Sequence, residues 1–157
     1  MTSYAKNYGL PVASVRMANV YGVGDPNHSR LVPNTILRLL AGKAPQITSG
    51  AEEYRREWIH IDNACEAYMR IMDAKPWGQA INVGSGECHT VRETVGLICQ
   101  AMGVDIEPEE WERPSTLHEI TNQWLSLSRL KMIWPNFKPR TMAETLPEII
   151  DWYRRNG

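Results

Sequence analysis

An α/β fold is predicted by three features of this chain. Short Val- and Ile-rich runs read as strands, each is followed by a stretch with apolar residues at helical spacing, and the connections between them are short. A helical bundle or a β-sandwich would not produce that order. With 157 residues the chain is expected to form one domain over residues 1–157, long enough to bury roughly 70% of the surface its unfolded form exposes.

From Pro11, VASVRMANVYG alternates Ala13, Val15 and Met17 against Val12, Ser14 and Arg16, which predicts one strand ending at the Gly22–Asp25 loop. Pro33 suits the first turn of a short helix with Ile36, Leu37 and Leu40 on one stripe and Gly42 as its cap. WIHI then reads as a brief strand. Asp62 is placed to cap a helix in which Ala64, Ala67, Tyr68, Ile71 and Met72 fall at helical spacing before Pro76 and Gly78 stop it. AINV at 80–83 is the next strand, leading into Gly84-Ser85-Gly86. Thr90 with Glu93 forms a capping box for a helix that turns Val91, Val95, Ile98 and Met102 inward and ends at Gly103. The last third is less regular, with a short strand in DIEPEEWERP, a helical turn or two in SLSRLKMIW and a final helix in TMAETLPEIIDWYRR. The start of that helix is open between two capping boxes, Thr141 with Glu144 and Thr145 with Glu148, because Pro147 lies close to both.

The 17 basic and 18 acidic residues leave a net charge of −1. No broad positive field advertises nucleic acid or an anionic membrane, so an anionic ligand would have to be met locally. Cys65, Cys88 and Cys99 have neither metal-binding spacing nor an even count for a disulfide framework, which suits a reducing cytoplasm. No stretch reaches the roughly 18 apolar residues of a membrane span.

Four stretches place a cation or an amide at the end of a regular element, where a phosphate can be held. They are RMANVYG with Asn19, GDPNHSRLVPNTI with Arg30, RREWIHIDN with Arg55 and Arg56, and ERPS with Arg113. Taken singly, each has an ordinary explanation. Arg55 and Arg56 stand beside Glu52, Glu53 and Glu57 as a solvated charge cluster would. Asn19 could satisfy a turn, and Arg113 could be a plain surface arginine. His28, His60, His89 and His118 lack metal spacing and read as structural or surface histidines. Tyr21 and Tyr68 read as core, and the six tryptophans as packing rather than a stacking platform.

Together the stretches resemble the extended short-chain dehydrogenases/reductases, the NAD-dependent epimerases and dehydratases of nucleotide sugars. YGLPVASVRMANVYGVGD resembles their YGLPV and RxxNVYGPG segment, and RREWIHIDNACEAY their R-D-aromatic-I/V-H-V-D-D block. AINVGSGECHTVRE resembles their NVGSG turn and following helix, and IWPNFKPRTMAETLPEIIDWY their closing helix. GDPNHSRLVPNTI with RLLAGKAP is most similar to the branch of nucleoside-diphosphate-glucose 4,6-dehydratases. The resemblance implies a partial Rossmann-like fold, the C-terminal substrate-binding portion with a few short parallel strands and packed helices, the N-terminal NAD-binding half being absent. It also implies that Asn19 and Arg56 face the substrate diphosphate and Arg113 closes on it. Arg30 would lie beside the nucleotide, and the strip at Gln46 and Ile47 would pass the base.

The family's hydride chemistry uses a GxxGxxG loop to seat NAD and a Tyr-x-x-x-Lys pair to take a proton. No such loop opens this chain, and Lys6 stands at the wrong offset from Tyr4. The Gly84-Ser85-Gly86 segment has His89 where the third glycine would be, which favours a simple tight turn over a dinucleotide loop. Glu57, Asn63 and Ser126 stand where the family has Asp. No catalytic residue, metal ligand or cofactor, NAD included, is therefore expected in this chain. The expected function is a nucleotide-sugar-binding remnant that is not catalytic alone. Two alternatives are a truncated or recombined structural protein without a ligand, and one half of a two-chain enzyme with a separate NAD-binding chain. Strands deprived of their family cover predict a homodimer or higher homo-oligomer.

Overall fold

A computed structural model describes residues 2–112 and 120–156. The chain runs α1 (Thr2–Tyr8), β1 (Ser14–Met17), β2 (Asn19–Tyr21), α2 (Leu31–Leu40), β3 (Gln46–Thr48), β4 (Arg55–His60), α3 (Ile61–Ala74), β5 (Ala80–Val83), β6 (Cys88–Thr90), α4 (Val91–Met102), β7 (Glu109–Trp111), β8 (Asn122–Gln123), α5 (Ser128–Ile133) and α6 (Met142–Asn156). The α/β alternation expected from the sequence is present. No helix among the described residues is long and apolar enough to cross a membrane.

The strand expected from Pro11 onward is two strands with different partners. β1 pairs in parallel with β5, from Ser14↔Ala80 to Met17↔Val83, whereas β2 pairs in parallel with β4, from Asn19↔Trp58 to Tyr21↔His60. Buried Ala18 joins them and donates its N–H to Val83 O at 2.8 Å. Side-chain alternation reports which face is buried, not which neighbour accepts the backbone hydrogen bonds, so the switch was invisible in the pattern. β4 also pairs with β6 antiparallel and with β8 in parallel, and β3 pairs with β7 as a separate parallel ribbon.

Adjacent residues of β4 serve two cores, because successive strand side chains point to opposite faces. Trp58 packs with Tyr21, Ile36, Ile98, Leu146 and Ile149 beneath α2, α4 and α6. Ile59 packs with Ala64, Ala67, Ile81, Val83 and Leu130 beneath α3 and α5.

Helix boundaries follow local chemistry, with some corrections. In α2, Val32, Ile36 and Leu39 are buried while Leu40 is exposed. α3 is capped by His60, not Asp62: the imidazole Nδ1 accepts the Asp62 N–H at 3.4 Å. Its buried face is Asn63, Ala64, Ala67 and Ile71, and Tyr68 and Met72, expected inward, are 48% and 61% exposed. Neighbouring apolar residues at 67–68 and 71–72 span more than one stripe, and the sheet takes the Ala and Ile side. The Thr90–Glu93 capping box is formed, with bonds of 3.0 and 2.7 Å, and α4 stops at Gly103 with φ 70°. α6 uses the Thr141–Glu144 box, at 3.3 and 2.7 Å, and carries Pro147 inside it. Thr145 instead turns inward to meet Tyr21, which leaves Glu148 to pair with Arg140.

Candidate functional site

A cavity of about 640 Å³ opens between β2, the first turn of α2, the β3–β7 ribbon and β4, and Asn19, Arg30, Gln46 and Arg56 all line it. Four of the residues expected to bind ligand therefore meet in space. The fifth, Arg113, lies outside the described residues. The volume suits a small-molecule ligand, for which sites of roughly 300–1,000 Å³ are usual.

Asn19 opens β2, and its register opposite Trp58 holds it over β4. Its Nδ2 donates to Glu57 O at 3.0 Å and approaches Gln123 Oε1 at 3.5 Å, so the side chain is fixed. Arg56 is half-buried on the cavity side of β4, while Arg55 is exposed. Its Nη1 donates to Arg55 O at 3.0 Å and Thr121 O at 3.3 Å, and the guanidinium lies 5.6 Å from the Tyr54 ring centroid. Those contacts hold one arm of the fork beside the cavity wall.

Arg30 occupies the N-cap position of α2 without a side-chain cap bond and pairs with Asp25 at 3.2 Å. The loop before it is tied by Asn27 N donating to Asp25 Oδ1, Ser29 N donating to Asn27 Oδ1, and the Tyr153 hydroxyl donating to Asp25 O. Gln46 begins β3, opposite Glu109, with Ile47 buried beside it. Among the described lining residues, Arg30 and Arg56 bring guanidinium groups to the cavity and Asp25 a carboxylate, and guanidinium groups are the usual partners of a phosphorylated ligand.

The support beneath the site includes Glu57, which is no member of a solvated charge cluster. Glu57 is fully buried, and its carboxylate accepts the Gly86 N–H at 2.8 Å and the Leu125 N–H at 2.6 Å. A Cβ at residue 84 would overlap that carboxylate, which accounts for glycine there. The Gly84-Ser85-Gly86 turn thus cradles an anion supplied by the protein itself. A dinucleotide pyrophosphate would have to displace Glu57, so this turn does not fit NAD, and no step through that cofactor is derived from the described residues. The available signal was an acidic residue inside an otherwise apolar strand, paired with a Gly-x-Gly turn later in the chain.

Tyr21 is no proton acceptor at neutral pH. Burial pushes its phenol up to about 12, and its hydroxyl is 2.8 Å from Thr145 Oγ1. His60, Asp62 and Glu148 bring potential ligand atoms within 4.8 Å of one another, a grouping hidden by their separation in sequence. Arg140 already fills it with a cation, its Nη1 lying 3.2 Å from Asp62 and 2.9 Å from Glu148. This network ties α6 to the start of α3 and is read as structural.

The profile of the NAD dependent epimerase/dehydratase family matches residues 1–84. A dTDP-glucose 4,6-dehydratase of Streptomyces antibioticus is 28% identical over 161 residues, covering 98% of this chain and 45% of that protein. A UDP-N-acetyl-alpha-D-glucosaminuronate decarboxylase of Bacillus cytotoxicus is 30% identical over 153 residues, covering 93% of this chain and 47% of its own length. The crystal structure of a UDP-glucose 4-epimerase from Thermotoga maritima with UDP-glucose is 25% identical and superposes with a TM-score of 0.85, covering 98% of this chain and 49% of that one. The chain spans between about a quarter and a half of the length of the curated relatives it matches.

Proposed function

The chain belongs to the NAD dependent epimerase/dehydratase family, and on that premise we propose that it binds a nucleoside diphosphate sugar in the cavity lined by Asn19, Arg30, Gln46 and Arg56. The observation that carries the reading is the convergence of these four residues, three from separate strands and one from the N-cap of α2, on one cavity. Arg56 and Asn19 would face the diphosphate, Arg30 the nucleotide and Gln46 the base. In this reading the chain is a binding unit that does not perform hydride transfer by itself.

A thermal-shift series with CDP-, UDP-, GDP- and dTDP-glucose and with NAD tests the proposal. Ligand at a hundred times its dissociation constant stabilises the folded state by about 2.7 kcal/mol. The expected outcome is a shift with one or more nucleotide sugars that Arg56→Ala removes, and none with NAD. Absence of a shift with every nucleotide sugar at millimolar concentration would overturn the reading.

A second reading concerns assembly and is favoured by two surfaces. Among the described residues β1 and β5 pair only with each other, leaving an unpaired outer edge on each, and α3 exposes Tyr68, Met69 and Met72. Open edges and apolar faces favour association. The partner would be a second copy of this chain or a separate NAD-binding chain. A purely structural role without a ligand is the outcome if the titrations fail.

A further inference from the structure

We infer that Trp111 is the surface on which the planar base of a nucleoside diphosphate stacks, making this side chain a determinant of affinity at the cavity. The inference rests on the nucleotide-sugar reading above and assigns a role to a residue that reading leaves unused.

Trp111 ends β7 opposite Thr48 of β3, and its carbonyl accepts the Ser49 N–H at 3.1 Å. The ribbon is braced on both sides: Ser49 Oγ donates to Glu110 at 3.1 Å, and Arg38 donates to Glu109 at 3.1 Å. These bonds hold the backbone that carries the ring. Glu110 turns to Ser49, while Trp111, next along the strand, lines the cavity.

The two tryptophans of the cavity are in different states. Trp58 is 7% exposed and committed, its Nε1 donating to Thr94 at 3.2 Å and its ring meeting Tyr21 edge-on at 6.1 Å. Trp111 is 43% exposed and lines a cavity that also holds cations. Isolated exposed aromatics are ordinary. This one shares its cavity with Gln46 and Thr48, whose amide and hydroxyl can satisfy the polar edge of a heterocycle, and with Arg30 and Arg56, which can hold a diphosphate. A flat ring, edge donors and acceptors, and cations in one cavity match a base joined to a diphosphate. Stacking on tryptophan tolerates different bases, because each presents a π-face.

Isothermal titration of UDP, UDP-glucose, dTDP and dTDP-glucose into the wild type, Trp111→Ala and Trp111→Phe tests the assignment, with thermal denaturation of each variant confirming its fold. Trp111→Ala is expected to weaken all ligands that bind the wild type by roughly 5- to 100-fold, equally for a nucleotide and its sugar conjugate, and Trp111→Phe to restore most of the loss. Equal binding by wild type and Trp111→Ala would overturn the inference and leave the nucleotide reading standing. So would a loss confined to the sugar conjugates, which would place the ring against the sugar. Equal losses in the Phe and Ala variants would also overturn it. No binding of any ligand by the wild type would overturn the nucleotide reading itself, and this inference with it.

Discussion

Replacing Glu57 by alanine removes the acceptor for two backbone N–H groups, those of Gly86 and Leu125, at 2.8 and 2.6 Å. An orphaned buried donor costs about 1–3 kcal/mol. Both amides are only part-buried, so water entering the vacated space would recover some of that cost. Loss of the Cγ methylene adds about 0.8 kcal/mol. The net expectation for Glu57→Ala is a loss of about 3 kcal/mol, or a melting temperature lower by roughly 6–12 °C for a domain of this size. Glu57→Gln keeps the shape and one acceptor oxygen but sets an amide donor against a backbone donor, and should cost about 1–2 kcal/mol. Urea denaturation of the three proteins, read together with calorimetry, measures both quantities. If Glu57→Ala stays within about 0.5 kcal/mol of wild type at an unchanged m-value, the carboxylate is not what holds the 84–86 turn to β4. The account of that turn as an anion cradle occupied by the protein would then be wrong.

Stability should also fall with acid in two stages. Burial holds the His60 imidazole below its ordinary 6.5, so just below that pH the unfolded chain takes up a proton that the folded chain refuses, and stability drops as pH falls through this window. Below about 4.5 the same sign applies to Glu148, whose carboxyl is held down chiefly by its hydrogen bonds from Arg140 and whose contribution is present above that pH and lost beneath it. Urea midpoints at pH 7.5, 6, 5 and 4 should decline monotonically, and His60→Gln should flatten the span from 7.5 to 5; a midpoint that rises on acidification over that span would contradict the assignment. Light scattering at micromolar concentration should find a dimer or larger species, and a monodisperse monomer would count heavily against the assembly reading.

Part of this molecule is written locally. The alternation of β-branched runs with helically spaced apolar residues determined the α/β class. The Thr90–Glu93 box and Gly103 set the two ends of α4, because a cap is a contract between residues three or four apart. Asn19, Arg30 and Arg56 could be singled out because each lies within a short motif beside an element end, and Gln46 through the family resemblance. What no local pattern carries is the identity of distant partners. The change of neighbour at Ala18 depends on Val83. The commitment of Glu57 depends on amides 29 and 68 residues further along the chain. The outward turn of Tyr68 and Met72 was decided by which side of α3 the sheet covers, and the assembly of four binding candidates around one cavity by the stacking of β2, α2, β3 and β4. Periodicity encodes burial, and hydrogen-bond partners far along the chain are chosen only when the elements pack.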